Sequence, residues 1–101
     1  MRYEFHPEAR QEFRKSTGYY ENEVANLGVT FAAEIESTLN RIQESPDRWP
    51  FIEQDVRTCL AHRFRFGVLY TVESDYILIV AVMHFSRKPG YWRDRLPDRP
   101  N

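Results

Sequence analysis

Apolar residues recur along this chain with two periods. Ala9, Phe13, Tyr20, Val24 and Leu27 fall three, four and seven residues apart, which predicts the buried stripe of a helix of about five turns. Pro7 suits its first position, and Glu8 places an acid in the first turn. Gly28 is placed to end or bend it. Phe31, Ile35, Leu39 and Ile42 form a second stripe, which Ser45-Pro46-Asp47 closes because proline cannot continue the hydrogen-bond ladder. Residues 7–45 therefore read as two antiparallel helices with facing apolar stripes. Strands are predicted at Tyr3–Phe5, Val56–Ala61, Phe66–Val72 and Tyr76–Phe85, the last two joined as a hairpin around Glu73-Ser74-Asp75. Trp49 is expected to anchor the connector Asp47–Pro50 onto the core. The expected class is α+β, with the helical hairpin on one face of a mostly antiparallel four-stranded sheet.

The hairpin loop sets the register. An even loop puts Arg65 opposite His84 and Leu69 opposite Val80, whereas a three-residue loop puts Phe64 opposite His84. In the even register Phe64, Phe66, Val68, Tyr70, Ile77, Ile79, Met83 and Phe85 share the helix-facing side. Arg65, Gly67, Leu69, Thr71, Leu78, Val80, Val82 and His84 share the other. That second face is expected to be open, with Leu69, Leu78, Val80 and Val82 forming an apolar partner-binding patch.

At 101 residues one domain is expected, spanning 1–96, followed by a frayed tail at 97–101. The 42% hydrophobic content suits a packed core and argues against disorder. The single cysteine, Cys59, excludes an internal disulfide and fits a reducing cytoplasm; it reads as a small buried hydrophobe. The first residues lack a signal-peptide core, and the longest apolar run, Ile77–Met83, is too short to cross a bilayer. Three histidines and one cysteine show no metal-ligand spacing, so neither metal nor other cofactor is expected. Net charge is −1, but residues 1–55 carry 6 basic and 11 acidic side chains, and residues 56–101 carry 8 and 4. The positive potential lies on the strand half. There an aliphatic strand runs into His84, Arg87, Lys88, the Pro89-Gly90 turn and Tyr91-Trp92, which suggests a site for a polyanion or a partner protein.

From Tyr3 to Arg95 the order of these features resembles the RelE/ParE superfamily of toxins from type II toxin–antitoxin systems. The shared features are His6-Pro7-Glu8-Ala9, Tyr19-Tyr20, Leu27-Gly28 before Phe31, Pro46, Trp49-Pro50, the Phe64–Tyr70 segment, and then His84, Arg87, Pro89 and Trp92. Two departures are Arg65, where the family usually carries proline, and the near-neutral charge. The resemblance implies a β-α-α-β-β-β order, a cytoplasmic protein and a cognate antitoxin. It also implies one of two activities: cleavage of mRNA on the ribosome, or inhibition of DNA gyrase without RNA cleavage. A member that only binds its antitoxin is a third possibility.

Metal-independent RNA cleavage needs a base, cations for the phosphorane and an acid for the leaving oxygen. His84 is the expected base or acid. Arg65 and Arg87 are the expected phosphate stabilisers, and Tyr91 an accessory group. Arg57, Arg63 and Lys88 are the further candidates for RNA contact. On these residues mRNA cleavage is the first expectation and gyrase inhibition the second.

Overall fold

The computed structural model describes residues 1–99. Its elements are β1 (Arg2–Phe5), α1 (Pro7–Glu23), α2 (Leu27–Glu44), β2 (Phe51–Glu53), β3 (Val56–Leu60), β4 (Phe66–Val72) and β5 (Tyr76–His84), followed by a 3-10 turn at Arg93–Arg95. The sheet has five strands in the order β1-β5-β4-β3-β2. β1 runs parallel to β5, and every other pairing is antiparallel. The additional strand is β2. Its three residues follow Pro50 and are too few to show a period-2 pattern in the sequence.

α1 starts as its sequence predicts. Pro7 sits in the first turn, and the Nδ1 of His6 accepts the Glu8 N–H at 3.1 Å. The helix ends earlier than the stripe implies. Val24 is its exposed cap, and Asn26 takes the left-handed conformation, φ +70°, that reverses the chain. Leu27 and Gly28 therefore open α2 rather than close α1. Gly28 is where the two helices touch: a Cβ there would lie 2.6 Å from the Thr17 carbonyl oxygen. Phe31, Ile35, Thr38, Leu39 and Ile42 then bury one face of α2 against the sheet.

The hairpin begins in the even register, with Val72 opposite Ile77, Thr71 opposite Leu78 and Tyr70 opposite Ile79. A β-bulge then intervenes. Leu69 pairs with Ala81, leaving Val80 as the extra residue, and beyond it Phe66 pairs with His84. A bulge puts two residues of one strand against one of its neighbour. Every side chain past it therefore changes face relative to an unbroken strand. Val80 and Ala81 both point away from the helices, and Val82 joins the helix-side core with Phe66, Val68, Tyr70, Ile77 and Ile79. Met83 moves to the opposite side. The expected pairings of Arg65 with His84 and Leu69 with Val80 are thus replaced.

The face away from the helices is not open. Trp92, Tyr91 and Leu96 of the C-terminal segment lie over Val56, Leu69, Leu78, Val80, Ala81 and Met83. Leu69 is 1% exposed, Val80 0% and Trp92 2%. The segment is also tied down by charge. Arg93 reaches Glu53 at 2.6 Å, Arg95 reaches Glu12 at 2.9 Å, and Arg99 reaches Glu73 at 2.7 Å and Asp55 at 2.8 Å. Arg99, expected in a frayed tail, is therefore attached to the sheet. Residues 100 and 101 of that tail lie outside the described residues. Leu69, Leu78, Val80 and Val82 are packing residues here, three under the C-terminal segment and one under the helices. The expected exposed partner patch is corrected accordingly.

Candidate functional site

The polar centre at the end of β5 is built around Glu12, a residue the sequence does not single out. β1 stops pairing at Phe5, opposite Ile79, and the bulge follows at once. Backbone groups of β5 past that point need other partners. Glu12 Oε1 accepts the Val82 N–H at 3.0 Å, and Arg95 Nη1 donates to the Val80 carbonyl at 3.1 Å. The same two side chains meet through paired hydrogen bonds, Nη1 to Oε1 and Nη2 to Oε2, both 2.9 Å. Their side chains are 14% and 7% exposed, so water screens the pair little.

Tyr91 and Arg87 belong to this centre. Pro89 and Gly90, the latter at φ +78°, form the turn that brings Tyr91 back onto α1. The Tyr91 hydroxyl donates to Glu12 Oε2 at 2.6 Å. Burial and then that hydrogen bond push its phenol far above the ordinary tyrosine range. Arg87 lies over the Tyr91 ring, 3.9 Å from its centroid, and 3.9 Å from Glu12 Oε2. Two members of the expected catalytic set are therefore engaged by a carboxylate.

His84 lies apart from this hub in its bonding. Its ring meets Phe66 edge-on, with centroids 5.2 Å apart. Nδ1 accepts the Ser86 N–H at 3.1 Å and lies 2.8 Å from Ser86 Oγ. This pattern assigns the proton of the neutral ring to Nε2. Nδ1 is thus engaged by the turn that follows β5. His84 shares a surface cavity of about 410 Å³ with Lys15, Ser16, Tyr19, Tyr20 and Phe66. Lys15 and Ser16 adjoin on one turn of α1 and Tyr19 lies on the next. Their spacing was visible in the sequence, but not that this side of the helix would face the end of β5.

Arg65 is exposed and follows Phe64 in a pair of left-handed residues, φ +73° and +57°. Such backbone costs about 1–2 kcal/mol per residue and is held here by packing. Phe64 sits 5.2 Å from Phe31 and 4.9 Å from Tyr20, and the Arg65 carbonyl accepts the Phe85 N–H at 2.9 Å. Arg63 and Lys88 are exposed. Arg57 is half-buried and points elsewhere: it donates to the carbonyls of Asp47 and Trp49 and lies 3.8 Å from the centroid of Phe51. Arg57 is thus a brace for the connector. Cys59 is fully buried, and burial pushes its thiol up, as expected of a packing residue.

Among the described residues, no group of three or more His, Cys, Asp or Glu is arranged to hold a metal ion, and no helix is long and apolar enough to cross a membrane. A helical hairpin against one face of a mixed sheet, with a basic C-terminal segment strapped over the other, defines a small α+β domain. The chain belongs to the ParE family of toxins, within the RelE/ParE superfamily: residues 3–89 match the family described as ParE toxin of type II toxin-antitoxin system, parDE. A solved structure titled "Chromosomal ParDE TA system from P. aeruginosa" shares the fold, with a TM-score of 0.74 and 16% identity over 83% of this chain and 95% of that chain. No curated protein matches the chain. As a member of this family it has a cognate antitoxin as its typical partner.

Proposed function

We propose that this toxin acts in the cytoplasm by binding and inhibiting DNA gyrase, that it cleaves no RNA itself, and that its antitoxin neutralises it. The observation that carries this reading is the position of Glu12. Its carboxylate takes the hydrogen bonds of Tyr91 and Arg95 and draws in Arg87, so a phosphate brought to these groups meets a like charge. The match to the ParE family supports the same conclusion. An antitoxin that used Leu69 and Val80 would first have to lift the C-terminal segment, so its docking surface is assigned elsewhere.

Ribosome-associated mRNA cleavage is the second reading. It is favoured by the cavity that joins His84 to Lys15 and Tyr19. Purified protein should block supercoiling of relaxed plasmid by gyrase and leave mRNA intact on translating ribosomes. His84→Ala should inhibit supercoiling like the wild type. New mRNA ends that vanish in His84→Ala, with supercoiling unaffected, would reverse the choice. Binding to the antitoxin with neither activity would identify an inactive family member.

A further inference from the structure

On the helix side of the opposite sheet edge, where α2 ends beside β3, lies a cleft of about 510 Å³. Its walls include Arg41, Arg48, Trp49, Leu60 and His62. Three arginines of the described residues are half-buried: Arg41, Arg57 and Arg95. Arg57 lies 4.0 Å from Asp47, and Arg95 pairs with Glu12. Arg41 has no carboxylate partner among the described residues. Its Nη2 donates to Thr38 Oγ1 and the Leu60 carbonyl, its Nη1 lies 3.5 Å from Cys59 Sγ, and its Nε is buried without a hydrogen-bond partner. Arg48, on the same cleft, also pairs with no carboxylate among the described residues. Glu44 also lines the cleft and pairs with neither guanidinium.

The loop that carries Arg48 and Trp49 is fixed. The Tyr70 hydroxyl donates to the Pro46 carbonyl at 2.6 Å, Arg57 to the carbonyls of Asp47 and Trp49, and Trp49 Nε1 to the Arg41 carbonyl at 3.3 Å. The indole is therefore held in place with two guanidiniums over its ring, their Cζ atoms 4.9 Å (Arg48) and 5.8 Å (Arg41) from its centroid, and a base reaches the indole as the exposed Arg48 turns to its phosphate. A fixed aromatic surface next to unpaired cations is the arrangement that receives a base and its phosphate.

We propose that this cleft is a binding site for a nucleoside phosphate, with the base against Trp49 and Leu60 and the phosphate held by Arg48, Arg41 and His62. Two guanidiniums and an imidazole suit a dianionic phosphate better than a single carboxylate, and guanidiniums bind phosphate oxygens in pairs. The ligand is a free nucleotide or the 5′-phosphorylated end of a nucleic-acid strand, which present the same chemistry. The site is separate from the Glu12 centre, and its test does not depend on the toxin's target.

The test follows the Trp49 indole N–H resonance while AMP, inorganic phosphate or a 5′-phosphorylated trinucleotide is added to the full chain. AMP should shift this resonance saturably and bind more tightly than inorganic phosphate. Arg48→Gln and His62→Gln, both at exposed positions, should each weaken AMP at least about tenfold with the circular dichroism spectrum unchanged. Arg41 also supports the fold, so its substitution is not the deciding variant. A trinucleotide that binds more tightly than AMP assigns the ligand to a strand end; equal or weaker binding assigns it to a free nucleotide. No shift with AMP or the trinucleotide, full AMP affinity in both variants, or equally strong binding of a glutamate peptide overturns the proposal.

Discussion

Glu12 and Arg95 lie 83 residues apart and meet through two parallel hydrogen bonds of 2.9 Å. Together they bind the Val82 N–H and the Val80 carbonyl beside the bulge of β5. The pair thus joins the first helix, the central strand and the C-terminal segment. Arg95 also lies 3.6 Å from Glu8, one turn earlier on α1.

Glu12→Ala should lower unfolding stability by about 3 kcal/mol, because it strands a buried guanidinium and a strand N–H together. Urea unfolding of Glu12→Ala, Arg95→Met and the double variant checks this. The double variant should be less destabilised than the two single losses combined. Additive losses would show that the two side chains act independently.

Leu69→Asp should unfold the domain rather than selectively weaken antitoxin binding. Leu69 is buried beneath the Trp92 segment, and a carboxylate there would be desolvated without a partner. The expected loss is about 4 kcal/mol or more, at the upper end of single substitutions. A melting temperature equal to the wild type, with antitoxin affinity reduced, would mean that the segment readily leaves this face.

Alkaline pH should destabilise the fold through two tyrosines. Burial pushes the Tyr70 phenol up to about 12, and its hydroxyl donates to the Pro46 carbonyl. Tyr91 is raised further, by burial and by its hydrogen bond to Glu12. In the unfolded chain both release their protons near pH 10. Their contribution is therefore complete below about pH 10 and declines as pH rises through the folded-state values. Absorbance titration near the phenolate band should show Tyr70 and Tyr91 ionising late and together with unfolding. Ionisation of Tyr70 near pH 10 in the folded protein would contradict this assignment.

Gly28→Ala should destabilise the helical hairpin, although alanine is the better helix former. The added Cβ would meet the Thr17 carbonyl at 2.6 Å and the Glu21 Cβ at 2.8 Å. Separating the helices to relieve this should cost about 2 kcal/mol, as overpacking commonly does. Thermal denaturation measures it. A gain in stability would show that α1 can shift without loss of packing.

The local features of the chain were legible in the sequence because they depend on neighbours a few residues away. The Pro7-Glu8 start of α1, the stripe Phe31–Ile42, the Pro46 stop and the Pro89-Gly90 turn are of this kind. So is the buried character of Cys59. The even register of the hairpin also held next to its turn, where Val72 meets Ile77. The candidate site was less legible. His84 stands out in the sequence, but the cavity it shares with Lys15 and Tyr19 does not. Glu12 reads as one more acid on a solvated helix face, and its meaning depends on Tyr91 and Arg95 arriving from the far end of the chain.

By itself the sequence determined the helical hairpin, the main strands and the family, because periodicity, proline and glycine positions and motif order act locally or in sequence. Tertiary structure decided the rest. The bulge at Val80 reversed the faces of Val82, Met83 and His84, since one extra residue exchanges the two sides of a strand. The segment from Tyr91 to Arg99 then covered the face that alternation alone would leave bare, held by apolar contact and by Glu12, Glu53, Asp55 and Glu73. Those contacts join residues 40 or more positions apart in three cases and 26 apart in the fourth, so no local pattern could specify them.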